Sequence, residues 1–248
     1  MLNESKTQND YRAQIYSNYA HQFQDSSANF DDKEASRWGR AYAWYLRRWW
    51  PNNNSARVGE LACGNGKLLH VLKMRGYSNL SAVDISPAQV EIAKQVTDDV
   101  TLGSALDWLD ARKESFDLLV SLDLIEHFNK GEALQFIELI YAALKPGGRI
   151  VIQTPNADSP FGLQHRYNDL THEFLLNANL ISRLLLRSGF TNVVCREQGP
   201  VPWGYSVAST ARFIIWRGIR AGLQIWNIAE TGTTLPVLTR VFLISAIK

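Results

Sequence analysis

Cysteine and methionine are both scarce, with two of each in 248 residues. The cysteines, Cys63 and Cys195, form no C-x-x-C pair, which excludes a disulfide-stapled scaffold and a structural zinc module. Excess charge is also lacking: 26 basic and 24 acidic side chains leave a formal net charge of +2. A balance that even gives no electrostatic footprint for nucleic acid. No apolar run reaches the roughly 20 residues needed to cross a bilayer. The opening residues Asn3, Glu4, Ser5, Lys6, Thr7 and Gln8 are polar and lack the apolar stretch of a secretory leader. A reducing, cytoplasmic setting is therefore the expectation. Internal repeats and low-complexity segments are absent. At 46% hydrophobic and 20% charged residues, the composition is that of an ordinary globular protein, and the length suits one α/β domain with additions.

Tryptophan, by contrast, is plentiful, with eight residues. Trp49 and Trp50 adjoin, and Trp203, Trp216 and Trp226 fall in the last fifth of the chain. The most informative stretch is Val58-Gly59-Glu60-Leu61-Ala62-Cys63-Gly64-Asn65-Gly66. It reads as a short apolar strand, a glycine turn and, from about Lys67, a helix. Glycines at such a junction let a ligand approach the backbone, while the helix amides supply positive potential. The next strand, Leu80-Ser81-Ala82-Val83, ends in Asp84, an acid placed to accept both hydroxyls of a ribose. Together these features mark a nucleoside-cofactor site.

A dinucleotide loop needs a third glycine where Leu69 stands. The pattern E-x-A-C-G-N-G instead resembles the first motif of class I S-adenosylmethionine methyltransferases, written D/E-x-G-x-G-x-G, with Ala62 the one departure. Ser115-Phe116-Asp117-Leu118-Leu119-Val120-Ser121-Leu122 followed by Asp123-Leu124-Ile125-Glu126-His127 resembles the fourth-strand motif of that family. Leu144-Lys145-Pro146-Gly147-Gly148-Arg149-Ile150-Val151-Ile152 is similar to its fifth-strand element. The Tyr141 to Lys145 spacing of short-chain dehydrogenases also occurs. Lys145 abuts Pro146-Gly147-Gly148, however, and so reads as an ordinary cation at a helix end.

The resemblance implies a Rossmann-like α/β fold: a seven-stranded, mostly parallel sheet with an antiparallel last strand. It divides one domain into N-terminal lid helices (1–54), a cofactor core (55–155) and an acceptor region (156–248). Within 1–50, Tyr11, Ile15, Tyr16 and Tyr19 recur at helical spacing, and a second helix is expected from Ala35 to Trp49. Strands are expected near 56–61, 80–84, 99–102, 116–122 and 148–154. A helix from Asn179 to Ser188 follows, with strands at Phe190–Glu197 and Val241–Ala246.

S-adenosylmethionine is the cofactor that the resemblance implies. Its expected contacts are Glu60, Ala62, Cys63, Gly64 and Gly66 in the loop, with Asp84 and Ile85 after the second strand. Ser104 and Ala105 are expected at the adenine, the strand tip Ser121, Leu122 and Asp123 under the methyl donor, and Arg37 or Arg40 at the cofactor carboxylate, the alternative being that both arginines are solvated on their helix. Ser104 stands where relatives carry an acid, so that contact is weakened or moved, Asp107 being a substitute.

If the acceptor is a hydroxyl, a base must take its proton, and histidine has the right pKa. His172, with Asp169 and Glu173 nearby, is the first candidate; the alternative is that it pins the loop by hydrogen bonds. His127 is the second candidate, as base or as pocket wall. His165 is third, while His21 and His70 read as surface or lid residues. A magnesium site from His165, Asp169, His172 and Glu173 was weighed, but the spacing matches no metal signature, so no metal is expected.

Residues 211–226 are helical in period, with Arg217, Arg220 and Gln224 on one side. Ile214, Ile215, Ile219, Ile225 and Trp226 face away, a pattern that suits internal packing, peripheral contact with the inner face of the cell membrane, or a homodimer face. The texture of the whole chain, including the R-Y-x-D-L-T-H-E loop, resembles methyltransferases of bacterial surface-polysaccharide gene clusters. That likeness implies O-methylation of a sugar hydroxyl on a small-molecule or glycan acceptor, with no nucleic acid. The core also resembles ubiquinone-biosynthesis O-methyltransferases, which leaves a quinone-precursor phenol as an alternative. A non-catalytic cofactor-binding partner protein is a third reading. A nicotinamide oxidoreductase does not fit the loop.

Overall fold

The computed structural model describes residues 29–202 and 205–248. The first expected helix, with Tyr11 to Tyr19, and His21 lie outside these residues, as does Trp203. The described chain opens on helix α1 (Asp32–Tyr45), and the Asp31 side chain caps it by accepting the Lys33 and Glu34 amides. The expected extension to Trp49 does not form as helix. Leu46 to Trp49 turn away instead, and Arg48 takes a positive φ of 67°.

Alternation of strand and helix follows: β1 (Val58–Leu61), α2 (Lys67–Met74), β2 (Leu80–Asp84), α3 (Pro87–Ala93), β3 (Val100–Leu102), α4 (Ala105–Asp110) and β4 (Phe116–Leu122). A single 3-10 turn (Ile125–His127) leads to α5 (Lys130–Ala143), which Asn129 and Glu132 start with reciprocal capping bonds. Then come β5 (Leu144–Pro155), α6 (Gly162–Tyr167), α7 (Ala178–Arg187), β6 (Thr191–Glu197), α8 (Val207–Thr231) and β7 (Val241–Ile247).

The seven strands form one sheet in the order β3-β2-β1-β4-β5-β7-β6. β1 to β5 run parallel, and β7 pairs antiparallel with both β5 and β6. This is the expected doubly wound sheet, and its central strands are apolar because helices cover both faces. Phe116, Leu119, Phe136, Ile140 and Ile152 pack on one side, and Val58, Leu69, Leu72, Ala82 and Val120 on the other. Pairing with β4 begins at Leu144 and resumes at Arg149 after the Lys145-Pro146-Gly147-Gly148 turn, so β5 starts earlier than expected. The register jumps there, with Phe116 opposite Leu144 but Leu118 opposite Arg149.

The parallel strands end on one edge, where ligands bind in open α/β sheets. β1, β2, β3 and β4 each deliver a turn to that edge. α8 stands apart from this core. It is held by its polar stripe: Trp216 and Arg220 donate to the Glu197 carboxylate at 3.1 and 2.9 Å, and Gln224 exchanges bonds with the Leu235 backbone. Internal packing of the apolar stripe is thus corrected. Ile214, Ile215, Ile225 and Trp226 are 59–69% exposed, because the side that docks on the protein is the one carrying hydrogen-bonding groups.

Candidate active site

A cleft of about 1220 Å³ opens over the carboxyl ends of β1, β2 and β4. Its first wall is the turn after β1. Ala62 takes a φ of +55°, Gly64 +52° and Gly66 +86°, and this left-handed run folds the chain back to begin α2. At Gly66 a Cβ would lie 3.1 Å from the Ala93 Cα, so glycine is required both by the backbone angle and by close packing on α3. Gly66 therefore shapes the turn from behind and does not line the cleft, whereas Ala62, Cys63 and Gly64 do.

Asp84 closes the next side. Its two carboxylate oxygens accept the Gly64 and Ser86 amides, each at 2.8 Å. These bonds tie the tip of β2 to the turn after β1 and leave lone pairs on both oxygens for further donors. Burial raises the Asp84 carboxyl above its ordinary range, an effect the Ser86 and Gly64 amides partly offset. Glu60, behind the turn, is fully buried, and both burial and the neighbouring Asp84 push its carboxyl well up. Its Oε2 has no hydrogen-bond partner, and neither does Oε1 of Gln89, which also lines the cleft. Unpartnered buried polar oxygens beside a glycine cradle fit a polar, hydrogen-bonding ligand such as a ribose and an amino group. Burial also drives the Cys63 thiol well above its usual value, so Cys63 is a neutral wall residue and no nucleophile.

The remaining expected contacts divide. Ile85, Ser104, Ala105 and Leu122 line the cleft. Ser104 is already engaged, since its hydroxyl accepts the Leu106 amide and caps α4; Asp107 is exposed and lies off the cleft. Ser121 is wholly buried in β4 and does not line it. Arg40 does not reach the cleft either: its guanidinium lies 5.0 Å from the Tyr205 ring centroid. α1 contributes Glu34 and Trp38 to the wall instead. His70, expected at the surface or the lid, is buried against the lid helix α1, 3.2 Å from the Ser36 hydroxyl.

At the far end of the cleft, His127 and His172 meet edge to face with ring centroids 4.7 Å apart. Each ring is tied back through Nδ1. His172 Nδ1 bonds to the His165 carbonyl, so it carries the proton. Thr171 donates its hydroxyl to the Asp169 carboxylate at 2.6 Å, and its oxygen therefore accepts from His127 Nδ1 at 2.8 Å. With Nδ1 so engaged in each ring, Nε2 is the acceptor nitrogen whenever the ring is neutral. Asp169 acts through Thr171 on His127 and does not line the cleft, whereas it had been expected to orient His172.

Two further acids sit here. Asp123 adopts a positive φ of 53° at the end of β4, which swings its carboxylate into the cleft, where it accepts from Gln153 Nε2 at 2.6 Å. Burial raises its carboxyl, while the Gln153 bond and nearby His172 act the other way. Glu126 is fully buried and accepts from the Thr154 hydroxyl at 3.1 Å. Glu126, His127 and His172 offer donor atoms within 4.8 Å of one another. The four residues weighed from sequence as metal ligands do not converge in this way. His165 offers its carbonyl to His172, and the Glu173 amide donates to the Glu126 carbonyl.

A family model described as a methyltransferase domain matches residues 33–194. The chain belongs to that family. Among solved structures, a SAM-dependent methyltransferase from Archaeoglobus fulgidus superposes with a TM-score of 0.63 at 20% identity, over 88% of this chain and 95% of that one. A phosphoethanolamine N-methyltransferase from Haemonchus contortus, solved with S-adenosyl-L-methionine, gives 0.62 at 18% identity, over 94% and 60%. Such likeness carries the fold of the methyltransferase domain. Among curated proteins, the rat small RNA 2'-O-methyltransferase is 32% identical over 136 residues, covering 48% of this chain and 34% of its own length. The mitochondrial ubiquinone biosynthesis O-methyltransferase of Schizosaccharomyces pombe is 28% identical over 105 residues, covering 40% and 37%. The chain thus spans about a third of the length of these relatives.

Proposed function

We propose that this methyltransferase domain moves the methyl group of S-adenosylmethionine to a hydroxyl oxygen of a sugar-bearing small molecule or glycan. The observation that carries the reading is the pairing, at one end of the cleft, of two imidazoles and a buried carboxylate. At its other end Asp84 has lone pairs for a ribose, and Glu60 and Gln89 present unpartnered oxygens. Methyl transfer is an in-line displacement: the acceptor oxygen bonds to the methyl carbon, the carbon–sulfur bond breaks, and sulfur keeps the electron pair. The protein supplies alignment and a dry site, which together account for several kcal/mol.

A hydroxyl, unlike an amine, must lose its proton close to attack. It can pass the proton to an imidazole lone pair, or a cation can lower its pKa. The turn after β4 offers donors for either. Two curated relatives, a small RNA 2'-O-methyltransferase and a ubiquinone biosynthesis O-methyltransferase, are likewise oxygen methyltransferases by name. A sugar is favoured over a phenol by the polar character of this end, where Asp123, Glu126, His127 and His172 gather.

The test is conversion of S-adenosylmethionine to S-adenosylhomocysteine with parallel panels of sugar nucleotides, short glycans, catechols and RNA oligonucleotides. Turnover with a sugar panel supports the reading. Turnover with catechols alone transfers it to phenols, and turnover with RNA alone overturns the small-molecule acceptor.

A further inference from the structure

α8 carries an apolar face that nothing among the described residues covers. We propose that this face, together with the exposed segment that runs into His172, docks on the surface of an anionic lipid bilayer. The outward positions of α8 are Ile214, Ile215, Ile219, Ile225 and Trp226, with alanine and glycine between them. All five large side chains are more than half exposed. An apolar stripe that stays exposed along the length of a helix marks an interaction site. The opposite side of α8 is already committed, since Trp216, Arg220 and Gln224 donate to Glu197 and Leu235. The fold therefore holds the apolar face outward.

Charge selects the occupant. At about 100° per residue, Arg212 borders the apolar face on one side and Arg217 on the other, and both are exposed. No aspartate or glutamate occurs between Val207 and Ala229. Arginine stems lie along apolar surface while their guanidiniums reach past it, so two such borders fit anionic headgroups above acyl chains. Trp226 suits the same boundary, having an apolar body and one N–H. A second copy of the chain would answer Arg212 with Glu230, which lies on the same side, but α8 has no acid on the Arg217 side. No helix among the described residues is long and apolar enough to cross a membrane, so the contact is one in the plane of the surface.

The second support comes from a different element. Phe161, Leu163, Tyr167 and Leu170 are 63–78% exposed, just beyond β5. Pairing of Pro155 with Val241 and of Glu197 with Phe242 puts the ends of β5 and β6 and the start of β7 at one edge of the sheet. α6 therefore rises from the same edge that α8 leaves and to which it returns. Arg240 stands between them, exposed. Its guanidinium donates to Gln164 at 2.7 Å and lies 5.1 Å from the Phe161 ring centroid. The Phe161–Leu170 segment continues directly into Thr171 and His172, and His172 lines the acceptor end of the cleft. A bilayer against this edge would present a hydroxyl acceptor carried on a lipid. That consequence rests on the proposed function, whereas lipid binding itself does not.

The test is co-sedimentation of tag-free full chain with two kinds of vesicle, phosphatidylcholine alone and equal parts phosphatidylcholine and phosphatidylglycerol. Wild type is compared with the double variants Ile215→Asp/Trp226→Asp and Arg212→Glu/Arg217→Glu, with thermal melting to check that each is folded. Wild type should partition onto anionic vesicles at least about tenfold better than onto neutral ones, and each variant should lose at least about tenfold on the anionic vesicles. The comparison between vesicles needs wild type alone, so it stands even where a variant misfolds. Equal partitioning of wild type onto both vesicles, no binding at all, or binding unchanged in either folded variant overturns the proposal. Sedimentation equilibrium without lipid is the second arm. A dimer that Ile215→Asp/Trp226→Asp dissociates, with no vesicle binding, assigns the face to a second copy, for which Gly218 and Gly222 leave room. Neither cofactor nor acceptor enters these measurements. Loss of vesicle binding therefore leaves the proposed function standing, and failure of every hydroxyl acceptor leaves the lipid contact standing.

Discussion

The side-chain amide of Gln153 donates to the Asp123 carboxylate at 2.6 Å, and its carbonyl accepts from the Tyr42 hydroxyl at 2.8 Å. One β5 residue thus links α1 to the turn that carries the acceptor end of the cleft. Gln198 extends the chain by donating to the Tyr42 oxygen at 3.0 Å. Gln153→Glu replaces the donor amide with a second carboxylate facing Asp123. We expect a loss of about 2 kcal/mol at pH 7, seen in urea unfolding, with partial recovery toward pH 4 as one acid takes a proton. Equal stability at pH 7 would mean that the link contributes nothing.

Glu60 predicts a pH dependence of opposite kind to that of a salt-bridged acid. Burial, with Asp84 adding to it, raises its folded carboxyl well above the ordinary 4.5. The folded state therefore keeps a proton that the unfolded chain releases. Its contribution is complete below about pH 4.5 and is lost as pH rises through the folded value. Glu60→Gln removes this dependence, so the variant's melting temperature should gain on wild type between pH 5 and pH 8. A gap that is constant across that range contradicts the assignment.

Much of this was legible in the sequence where the signal is local. The Ala62-Cys63-Gly64 turn and Asp84 announce themselves because backbone angles and a strand-tip acid are set within a few residues. The strands followed from apolar runs, and the antiparallel β7 from the family resemblance. The meeting of His127 with His172 was not legible. In the sequence each is a separate candidate base, and no periodicity reports that a loop folds back. Glu126 stood in the quoted motif, yet its burial and unpartnered oxygen are properties of the fold. Arg40 failed because helical phase alone does not say which face of α1 looks into the cleft. α8 reversed expectation for a related reason: its polar stripe finds Glu197 and Leu235, which sequence spacing could not bring to it.

Glu197 is the anchor of α8. Its carboxylate accepts from Trp216, Arg220 and the Leu238 amide at 3.1, 2.9 and 3.0 Å. Glu197→Ala leaves the Trp216 and Leu238 donors without this acceptor. We expect a cost of about 2–3 kcal/mol and faster limited proteolysis within α8, from Val207 onward. Unchanged proteolysis would show that other contacts hold the helix.

The central claim is that the glycine turn and Asp84 form an S-adenosylmethionine site. Calorimetric titration of wild type and Asp84→Ala with S-adenosylmethionine, S-adenosylhomocysteine and NAD tests it most directly. Wild type should bind the first two with micromolar affinity and NAD not at all, and the variant should bind roughly 10- to 100-fold more weakly, since charged hydrogen bonds to the ribose are lost. Binding of NAD, or S-adenosylmethionine affinity unchanged by Asp84→Ala, would contradict it.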